Sequence, residues 1–585
     1  MCAIAGVAGR LAEDQRAAGA VVASLISKQK HRGPDGEGFL VAPGIALAHR
    51  RLAIVDLSDQ ARQPMTSRNG RWSVVFNGEL FNYRDLKKQL DGPWVSASDT
   101  EVLLEACARW GVKEALERSA GMFGLALWDH QYRELTLARD RLGEKPLVYY
   151  WDGSTLAFAS EMKALAGLAG ARLNPAAVDC YFALGYVPAP LAIYERCGKL
   201  EAGTLLKFIG GQQPRMESWW TPGPGPAKGS RPSTAKPAAK ERAVALRNSL
   251  GPALRDRLLA PVPIALSLSG GIDSSVLAAE SVRQGASLET FAVRFTEESQ
   301  DVRFAALVAR HLGLRHHVLD ASTQGLHQDF SEWVQHYDEP FADSSAVGAL
   351  ALARALGGHY KVILTGDGGD EAFAGYRHYE YIGIKQVLKR VAAAAGKYDI
   401  GTDRDLYVQS KITFRKKDRR RLLPAGLHAD GFAGLAGTRA YAPGGSPLRR
   451  AMWIDRYLQL ANGLTYKMDI ALGAFGLEGR SPFLDHRLLG WADQLPDADL
   501  VQGRQKKVLL RAAYRDLLPQ SVLERSKQGF GAPIREWLAG PLREAARELL
   551  PCPLLAAGRS KRLNAQQHWT LLMFSAWARR WGASW

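Results

Sequence analysis

A chain of 585 residues is too long for one ordinary domain, and its 46% hydrophobic and 23% charged content is typical of globular proteins. The five cysteines are scattered and form no CxxC pair, which argues against a disulfide framework and against a cysteine-rich zinc site. No stretch is long and apolar enough to span a bilayer, and the N-terminus lacks the pattern of a signal peptide. We therefore expect a cytoplasmic protein with no membrane partner.

The net charge of +17 would suit a nucleic-acid-binding protein if it were concentrated on one surface. The excess is spread along the chain, apart from a basic cluster at residues 415–421 (RKKDRRR). No aromatic-interleaved groove or nucleic-acid motif accompanies this cluster. We interpret it as a solvated helix face or a surface loop, and we predict no nucleic-acid partner.

Short apolar runs alternate with turn residues in the N-terminal part of the chain. Runs of this kind, bounded by turn residues, are typical of strands. The pattern predicts a β-rich α+β domain. The predicted strands lie at residues 2–7, 45–48, 72–76, 123–128, 134–138 and 147–150.

Cys2 is the most distinctive residue of this part. Removal of Met1 by an aminopeptidase would make Cys2 the N-terminal residue, with its thiol beside a free α-amino group. Such an amine has a pKa of about 7.7–8.0 and can act as general base for its own side chain without a histidine. The alternative is an incidental cysteine on a buried edge strand.

Four short motifs accompany Cys2. They are RGPD at residues 32–35, HRRLAIVD at 49–56, FNGELFN at 76–82 and SDTE at 98–101. FNGELFN places an amide beside a glycine in a predicted turn, and SDTE opens a predicted helix in which Ser98 or Asp99 could be the N-cap. In this order the motifs resemble the class II glutamine amidotransferases, which use an N-terminal nucleophile. The resemblance covers residues 2 to about 165 and implies an α+β fold of the αββα sandwich type.

The resemblance implies a role for each matched residue. Cys2 would attack the amide carbon of glutamine, and the Asn77 side chain and the Gly78 N–H would hold the oxyanion of the tetrahedral intermediate. Arg51 would pair with the α-carboxylate of glutamine, because a guanidinium group suits a planar carboxylate. Asp99 and Glu79 would lie near the α-amino group. The implied glutamine-binding residues are Arg51, Leu52, Ala53, Ile54, Val55, Asn77, Gly78, Glu79 and Asp99.

Residues 221–240 (TPGPGPAKGSRPSTAKPAAK) are rich in Pro, Gly, Ala and Lys and show no apolar periodicity. Such a segment cannot bury enough apolar surface to fold, so it predicts a flexible linker. It divides the chain into an N-terminal domain at residues 1–220 and a C-terminal domain at residues 241–585.

The C-terminal domain alternates strand, loop and helix patterns, which predicts an α/β domain with a parallel sheet covered by helices. Beyond residue 376 the sequence is mainly helical. Strands are predicted at residues 263–268, 289–295 and 361–365, and helices at 275–283 and 302–312.

Two Gly-rich loops follow predicted strands in this domain. LSLSGGIDSS at residues 266–275 opens a helix, where glycines allow close backbone approach and free N–H groups can bind phosphate oxygens. It lacks the GxxxxGK(S/T) pattern of a Walker loop. TGDGGDE at residues 365–371 places three carboxylates at the C-terminal end of a parallel strand, where open α/β sheets bind ligands. The alternative for the second loop is an acidic surface turn.

The SGGIDSS sequence resembles the pyrophosphate loop of the N-type ATP pyrophosphatases, which cleave ATP to AMP and pyrophosphate. The resemblance implies Mg²⁺ ligation by Asp273 and Asp370, since carboxylates can hold Mg²⁺ against phosphate oxygens. Lys507 would stabilise the charge that develops on the phosphates, and Lys527 would be a second cation. The implied ATP-binding residues are Leu268, Ser269, Gly270, Gly271, Asp273, Ser274, Val293, Thr365 and Gly366.

A glutaminase domain followed by this synthetase domain is the layout of the glutamine-hydrolysing asparagine synthetase family, B type, and LEGRSPFLD at residues 477–485 belongs to the same pattern. The resemblance covers nearly the whole chain. It implies that a carboxylate attacks the α-phosphate of ATP, and that ammonia from glutamine then displaces AMP from the acyl-adenylate. Ammonia would otherwise be lost to solvent, so an internal tunnel is expected. The family pattern leaves a homodimer open.

Two residues bear on the carboxylate acceptor. Asp367 stands where well-characterised asparagine synthetases carry a glutamate, which acts as base for the incoming ammonia. Asp343, in YDEPFADSS at residues 337–345, stands where the bacterial aspartate-specific enzyme has an arginine needed to form the aspartyl-adenylate. An aspartate substrate has two carboxylates and needs cationic partners, so an anion at this position counts against free aspartate.

Two acceptors therefore stay open. Aspartate is favoured by its frequency in the family. The segments EPFADSSA and TGDGGDE resemble family members that amidate uronic acid sugars of bacterial surface polysaccharides. A third alternative is a non-catalytic regulatory protein with the same fold. Loss of Cys2, of the SGGIDSS loop or of the acidic loop would favour it, and none of them is lost.

Overall fold

The computed structural model describes residues 1–221, 239–295, 299–321, 326–382, 407–408, 410–435, 445–526, 532–556 and 563–585. The predicted linker lies outside this part of the chain from residue 222 to residue 238, and a helix begins at Ala239. Among the described residues, no helix combines the length and the apolar content needed to cross a bilayer.

Two antiparallel sheets of six strands each occupy residues 1–221. The first has the strand order β10-β8-β9-β1-β3-β2 and the second the order β12-β11-β7-β6-β5-β4. Each of the strand regions predicted for this half overlaps one of these strands, and the regions predicted at 2–7 and 147–150 begin one residue too early. The strands are β1 (Ala3–Gly9), β2 (Gly36–Ala42), β3 (Ile45–Arg51), β4 (Met65–Thr66), β5 (Trp72–Leu80), β6 (Gly121–Asp129), β7 (Glu134–Arg139), β8 (Val148–Trp151), β9 (Thr155–Ala159), β10 (Cys197–Lys199), β11 (Thr204–Ile209) and β12 (Arg215–Ser218).

Helices cover the outer face of each sheet. They are α1 (Gln15–Ser27), α2 (Tyr83–Lys87), α3 (Asp99–Trp110), α4 (Val112–Arg118), α5 (Met162–Ala169) and α6 (Pro175–Leu184). In β1, Ile4 and Ala8 pack between the sheets, whereas Ala5 and Val7 pack against α1, because successive side chains of a strand point to opposite faces. α3 covers the second sheet. The layers are therefore helix, sheet, sheet and helix, and the predicted αββα fold is confirmed.

A five-stranded parallel sheet forms the centre of the C-terminal half. Its order is β15-β14-β13-β16-β17, and all four neighbouring pairs are parallel. The predicted α/β fold is thus confirmed. The strands are β13 (Ile264–Ser267), β14 (Glu289–Arg294), β15 (His316–Asp320), β16 (Val362–Leu364) and β17 (Glu478–Arg480), and a separate short hairpin is formed by β18 (Val501–Gln502) and β19 (Gln505–Lys506).

The remainder of this half is helical, as predicted. Its helices are α7 (Ala239–Arg257), α8 (Ile272–Arg283), α9 (Gln300–Leu312), α10 (Leu326–His336), α11 (Ala346–Leu356), α12 (Gly369–Phe373), α13 (Lys416–Leu422), α14 (Pro447–Ile454), α15 (Thr465–Gly473), α16 (His486–Ala492), α17 (Asp497–Leu500), α18 (Val508–Ala513), α19 (Gln520–Glu524), α20 (Ile534–Ala539), α21 (Arg543–Leu549) and α22 (Ala565–Trp581). A π-helical segment (Asp455–Leu464) joins α14 to α15. Single 3₁₀ turns lie at Arg10–Glu13, Lys30–Arg32, Asp59–Ala61, Arg377–Tyr381, Ala433–Leu435 and Pro482–Leu484.

The basic cluster at residues 415–421 lies at α13. Most of its cations are exposed, as predicted for a solvated helix face, but Arg419 is only 2% exposed. Its Nε lies 2.6 Å from Asp179 on α6, and Asp179 also accepts the Gly431 N–H at 3.1 Å. One residue of the cluster therefore joins the two halves of the chain.

We expect Asp179→Ala to destabilise the fold by about 3–5 kcal/mol, because the Arg419 guanidinium group would stay buried without its charged partner. Urea unfolding followed by circular dichroism would measure the loss. Arg420→Ala removes an exposed cation from the same helix and serves as the control. Equal unfolding midpoints for the two variants would contradict the assignment of Arg419 as a structural residue.

Candidate functional site

A small cavity of about 40 Å³ lies beside Cys2. It brings together most of the residues predicted to bind glutamine, and its wall also contains Glu478 from β17. The predicted residues that line it are Cys2, Arg51, Leu52, Ala53, Ile54, Val55, Gly78, Glu79 and Asp99.

Cys2 sits at the start of β1. Its Sγ accepts the Leu52 N–H at 3.4 Å, and burial raises the pKa of its thiol. A thiol of raised pKa needs a nearby base to become a nucleophile. Met1 is present and buried, and its α-amino group donates to the Leu477 carbonyl at 3.3 Å. Burial lowers the pKa of this amine to about 5. The Cys2 nitrogen becomes a base only once Met1 has been removed.

Asn77 and Gly78 lie inside β5 and not in the turn that the Asn-Gly pair predicted. They pair with Gly124 and Phe123 of β6, and this ladder holds the chain extended. A Cβ on Gly78 would collide with Met122 and Phe123, so only glycine fits. Asn77 is fully buried, and its amide nitrogen and oxygen have no hydrogen-bond partner among the described residues. Such a group costs about 1–3 kcal/mol, which a ligand could recover.

The loop at residues 52–58 closes one side of this cavity. Arg51 donates to the Ser58 carbonyl at 2.7 Å and orders the loop. Lys361, which immediately precedes β16, pairs with Asp35 at 2.6 Å and donates to the Ala53 carbonyl at 3.2 Å. The C-terminal half thus supports a loop of the N-terminal half.

The acidic end of the cavity contains Glu79, Asp99 and Glu478. Burial raises the pKa of Asp99 to about 6 and raises that of Glu79 well above its ordinary value. Burial also acts to raise the pKa of Glu478, but Arg480, Lys145, the Met1 α-amino group and a hydrogen bond with Glu79 together hold this pKa below its ordinary value. Sequence reasoning assigned no role to Glu478 or Arg480, although both lie in the LEGRSPFLD motif.

A second cavity of about 480 Å³ lies at the carboxyl ends of β13, β14 and β16. This volume is in the range of small-molecule sites. The predicted residues that line it are Leu268, Ser269, Gly271, Asp273, Ser274, Val293, Thr365, Gly366, Asp367, Asp370 and Lys507. Gly270 is not part of the wall. Its φ is +68°, and a Cβ there would collide with the backbone of Ala305 and Asp301. Gly270 therefore allows the loop to turn and to pack against α9, and it does not face the cavity.

Lys507 bridges the two carboxylates predicted to bind metal. Its Nζ lies 2.6 Å from Asp370 and pairs with Asp273, and the residue is 2% exposed. Both carboxylates therefore converge on one cation. No group of three or more potential metal ligands occurs among the described residues. The protein therefore offers Mg²⁺ two carboxylate ligands, those of Asp273 and Asp370. Oxygens of a bound nucleotide and water molecules would have to complete the coordination.

A third cavity of about 30 Å³ adjoins the 480 Å³ cavity. Thr365, Asp367 and Met468 line both spaces, and Met1, which precedes Cys2 in the chain, also lines the smaller one. Thr365 Oγ donates to Asp367 at 2.7 Å, which fixes the carboxylate at the junction. Met122, Lys145, Thr465 and Asp469 are further wall residues that the sequence did not indicate.

Two arginines of the 480 Å³ cavity were also missed. Arg525 donates to the Gly270 carbonyl at 2.9 Å and pairs with Asp301, so it ties the Gly-rich loop to α9. Arg511 lies on α18, one turn after Lys507. The available signal was their position in the sequence: Arg511 ends the segment QKKVLLR that contains Lys507, and Arg525 lies two residues before Lys527. Lys527 itself lies outside the described residues.

Asp343 lies in the wall of the same cavity, together with Lys467 of α15. Their side chains are 3.1 Å apart, and Lys467 also donates to Ser345 at 2.8 Å. Burial acts to raise the pKa of Asp343, but Lys467 and hydrogen bonds from Ser345 hold it below its ordinary value. The anion that counted against an aspartate substrate is therefore paired with a cation that the sequence did not reveal.

Comparisons with known families agree with the presence of two sites. The family described as glutamine amidotransferase domain matches residues 1–220, and the family described as asparagine synthase matches residues 245–579. The chain belongs to the asparagine synthase family. The predicted family and enzyme class are confirmed: this asparagine synthase family member is an ATP-dependent, glutamine-hydrolysing ligase.

Named relatives match this asparagine synthase family member over most of their length. A Mycobacterium tuberculosis protein, provisionally named glutamine-hydrolysing asparagine synthetase, is 29% identical over 98% of this chain and 96% of its own. Glutamine-hydrolysing asparagine synthetase 1 of Bacillus subtilis is 27% identical over 94% and 91%. Amidase chyE of Penicillium rubens is 27% identical over 89% and 86%.

A solved structure of glutamine phosphoribosylpyrophosphate amidotransferase from Bacillus subtilis also matches. It is 18% identical, covers 55% of this chain and 81% of its own, and has a TM-score of 0.31. The sheet orders given above, and not this overlap, establish the fold.

We expect the mature protein to begin at Cys2, because the buried thiol needs the adjacent α-amino group as its base. Intact-mass spectrometry of the purified protein would show the loss of one methionine. A sample prepared with the aminopeptidase inhibited would keep Met1 and should hydrolyse no glutamine. Full glutaminase activity in that sample would exclude the α-amino group as the base.

Proposed function

We propose that the protein hydrolyses glutamine at Cys2 and transfers the ammonia to a carboxylate that ATP has activated as an acyl-adenylate. The products would be glutamate, an amide, AMP and pyrophosphate. Residues 1–220 would form the glutaminase domain and residues 241–585 the synthetase domain, joined by a linker at 221–240. The reaction would take place in the cytoplasm.

The observation that carries this proposal is the wall shared by the 480 Å³ cavity and the 30 Å³ cavity. Thr365 and Asp367 line both spaces, and Met1 lines the smaller one. Removal of Met1 would vacate the end nearest Cys2. Uncharged ammonia could then pass from the glutamine site to the adenylate without entering solvent. Met122 and Thr465 would line this path.

In the glutaminase half, the α-amino group of Cys2 would take the thiol proton, and Sγ would attack the glutamine amide carbon. The Asn77 amide and the Gly78 N–H would stabilise the oxyanion. Support comes from the two unpartnered polar atoms of Asn77 and from the tight fit around Gly78. Arg51 would bind the α-carboxylate at the far end of the cavity.

In the synthetase half, the backbone of residues 269–274 and the N-terminus of α8 would bind the phosphates of ATP. Asp273 and Asp370 would hold Mg²⁺, which would neutralise charge on the pyrophosphate oxygens. Lys507 already lies between these carboxylates and would bind the leaving pyrophosphate. Asp367 would then accept a proton from ammonia as it attacks the acyl carbon.

Aspartate is the acceptor that the wall of the ATP cavity favours. Its α-ammonium and α-carboxylate groups carry opposite charges, and the Asp343–Lys467 pair presents opposite charges 3.1 Å apart. Lys467 could bind the α-carboxylate while Asp343 binds the α-ammonium group. The side-chain carboxylate would remain free for adenylation.

A uronic acid is the second candidate. It has one carboxylate, and Asp343 together with Ser345 could bind its hydroxyl groups. The two acceptors differ in what they need from Asp343: a full negative charge for aspartate and a hydrogen-bond acceptor for the sugar.

Cys2→Ala should abolish glutamine hydrolysis and leave synthesis from ammonium salts intact, because the two sites lie in different halves. Glutamate release and amide formation would be assayed separately. Equal loss of both activities would argue against two sites, and undiminished glutamate release would exclude Cys2 as nucleophile.

We expect AMP and pyrophosphate as nucleotide products, and a loss of at least about 100-fold in synthesis for Asp273→Asn, which removes a metal ligand. Phosphorus NMR would identify the products. Asp320→Asn alters an exposed carboxylate at the same edge of the sheet and should have little effect. ADP and orthophosphate as primary products would refute the adenylate mechanism.

Asp343→Asn should raise KM for aspartate about 10- to 100-fold, since a charge-assisted hydrogen bond contributes about 1.5–3 kcal/mol. The amide side chain can still bind hydroxyl groups, so KM for a uronic acid should change much less. Amide formation from each acceptor would be followed by mass spectrometry, with Ser344→Ala as a neutral change in the same wall. An unchanged KM for aspartate would remove Asp343 from the acceptor site.

A further inference from the structure

The edge strand β17 carries two charged side chains from the synthetase half into the glutaminase half. Glu478 and Arg480 are two residues apart, so both point to the same face of the sheet. Glu478 is 4% exposed and Arg480 is fully buried. Glu478 lines the cavity beside Cys2, although it follows Cys2 by 476 residues in the sequence.

Arg480 holds the carboxylates around it in place. Its Nη2 lies 2.6 Å from Glu79 Oε2, and its Nε donates to Glu478 Oε1 at 3.1 Å. Nη1 donates to the Arg257 carbonyl at 2.8 Å, which anchors the guanidinium group from the other side. Each of the three guanidinium nitrogens thus has a partner inside the protein: Glu79 by an ion pair, and Glu478 and the Arg257 carbonyl by hydrogen bonds.

The carboxyl groups of this cluster outnumber the guanidinium group that pairs with them. Glu79, Asp99 and Glu478 lie around Arg480, and Lys145 and the Met1 α-amino group also act to lower the pKa of Glu478. The raised pKa values of Glu79 and Asp99 reflect burial first and then the neighbouring carboxylates. The pKa of Glu478 is lowered despite its burial, chiefly by Arg480 together with Lys145 and the Met1 α-amino group. A cationic group entering the cavity would supply the missing charge, and buried carboxylates are expensive without one.

We propose that Glu478 is a glutamine-binding residue, which binds the α-ammonium group together with Asp99, and that Arg480 is the positioning residue that fixes Glu478 and Glu79. This inference rests on the proposed glutamine site at Cys2. It assigns to Glu478 the anionic role that the family resemblance implied for Glu79. The glutamine site is then built from both halves of the chain.

Lys145 also acts on Glu478, and a further competing cation is the α-amino group that Cys2 would expose. The α-amino group of Cys2 would serve the chemical step, whereas the ammonium group of glutamine serves binding. If a substitution of Glu478 lowers kcat alone, Glu478 acts on the α-amino group of Cys2. If it raises KM, Glu478 binds the ammonium group of glutamine.

The test compares two substrates. Glutaramate is glutamine without its α-amino group, and it keeps the amide and the carboxylate. For Glu478→Gln we expect KM for glutamine to rise at least tenfold, with kcat nearly unchanged, while KM for glutaramate stays within about twofold of wild type. Glu478→Asp, which keeps the charge, should recover part of the affinity. Glu289→Gln, the same change on β14 of the parallel sheet, is the control and should not alter KM.

Several outcomes would overturn the inference: an unchanged KM for glutamine, an equal rise for glutaramate, or a loss in kcat alone. Arg480→Lys is the second variant in case Glu478→Gln does not fold, as judged by its thermal unfolding midpoint. It should raise KM for glutamine and spare glutaramate. Failure of the proposed function gives a different result from failure of this inference. If Cys2 is not the nucleophile, the Cys2→Ala variant still releases glutamate, whatever the effect of Glu478→Gln on KM.

Discussion

The buried Arg480 is the residue on which the relative position of the two sites depends. Its guanidinium group lies 2.6 Å from Glu79 in the glutaminase half, and its carbonyl oxygen accepts the Thr365 N–H at 3.0 Å in the synthetase half. A buried guanidinium group is stable only with charged and hydrogen-bonded partners around it. The side chain of Arg480 therefore holds the acidic end of the cavity beside Cys2, while its peptide group holds the strand that leads to Asp367. Through this one residue, the two cavities are fixed relative to each other.

Internal ion pairs recur at the places where substrate charges would bind. Lys507 lies between Asp273 and Asp370, Lys467 pairs with Asp343, and Arg480 lies between Glu79 and Glu478. A partly buried cavity lined by uncompensated charges would be unstable, so these pairs stabilise the protein in the absence of ligands. They also hold each charge in a fixed position before a ligand arrives, which is the condition for electrostatic stabilisation of a reaction. Stability and function are thus served by the same side chains.

The sequence predicted those parts of the fold and of the sites that depend on neighbouring residues. The strand, Gly-rich loop and helix at residues 266–283 are one continuous signal, and the apolar runs of the N-terminal half identified its strands. β17 was missed because its three residues are polar, and Asn77 was placed in a turn because its pairing with β6 is not a local property. Lys467 looked like any solvated lysine, since its partner Asp343 lies 124 residues away. Charged residues buried by distant partners are therefore the ones that sequence patterns do not reveal.

The wall formed by Glu478 has a consequence for how the protein is made. The ribosome synthesises the chain from its N-terminus, so the cysteine at position 2 is made long before the strand at 478–480. Until that strand has emerged and paired with β16, the cavity beside Cys2 lacks one wall, and Glu79 lacks its guanidinium partner. A nascent or truncated polypeptide that ends before β17 carries the thiol without a finished pocket around it. Under the proposed function, a chain still being translated would release little ammonia until most of the domain proposed to consume it had been made.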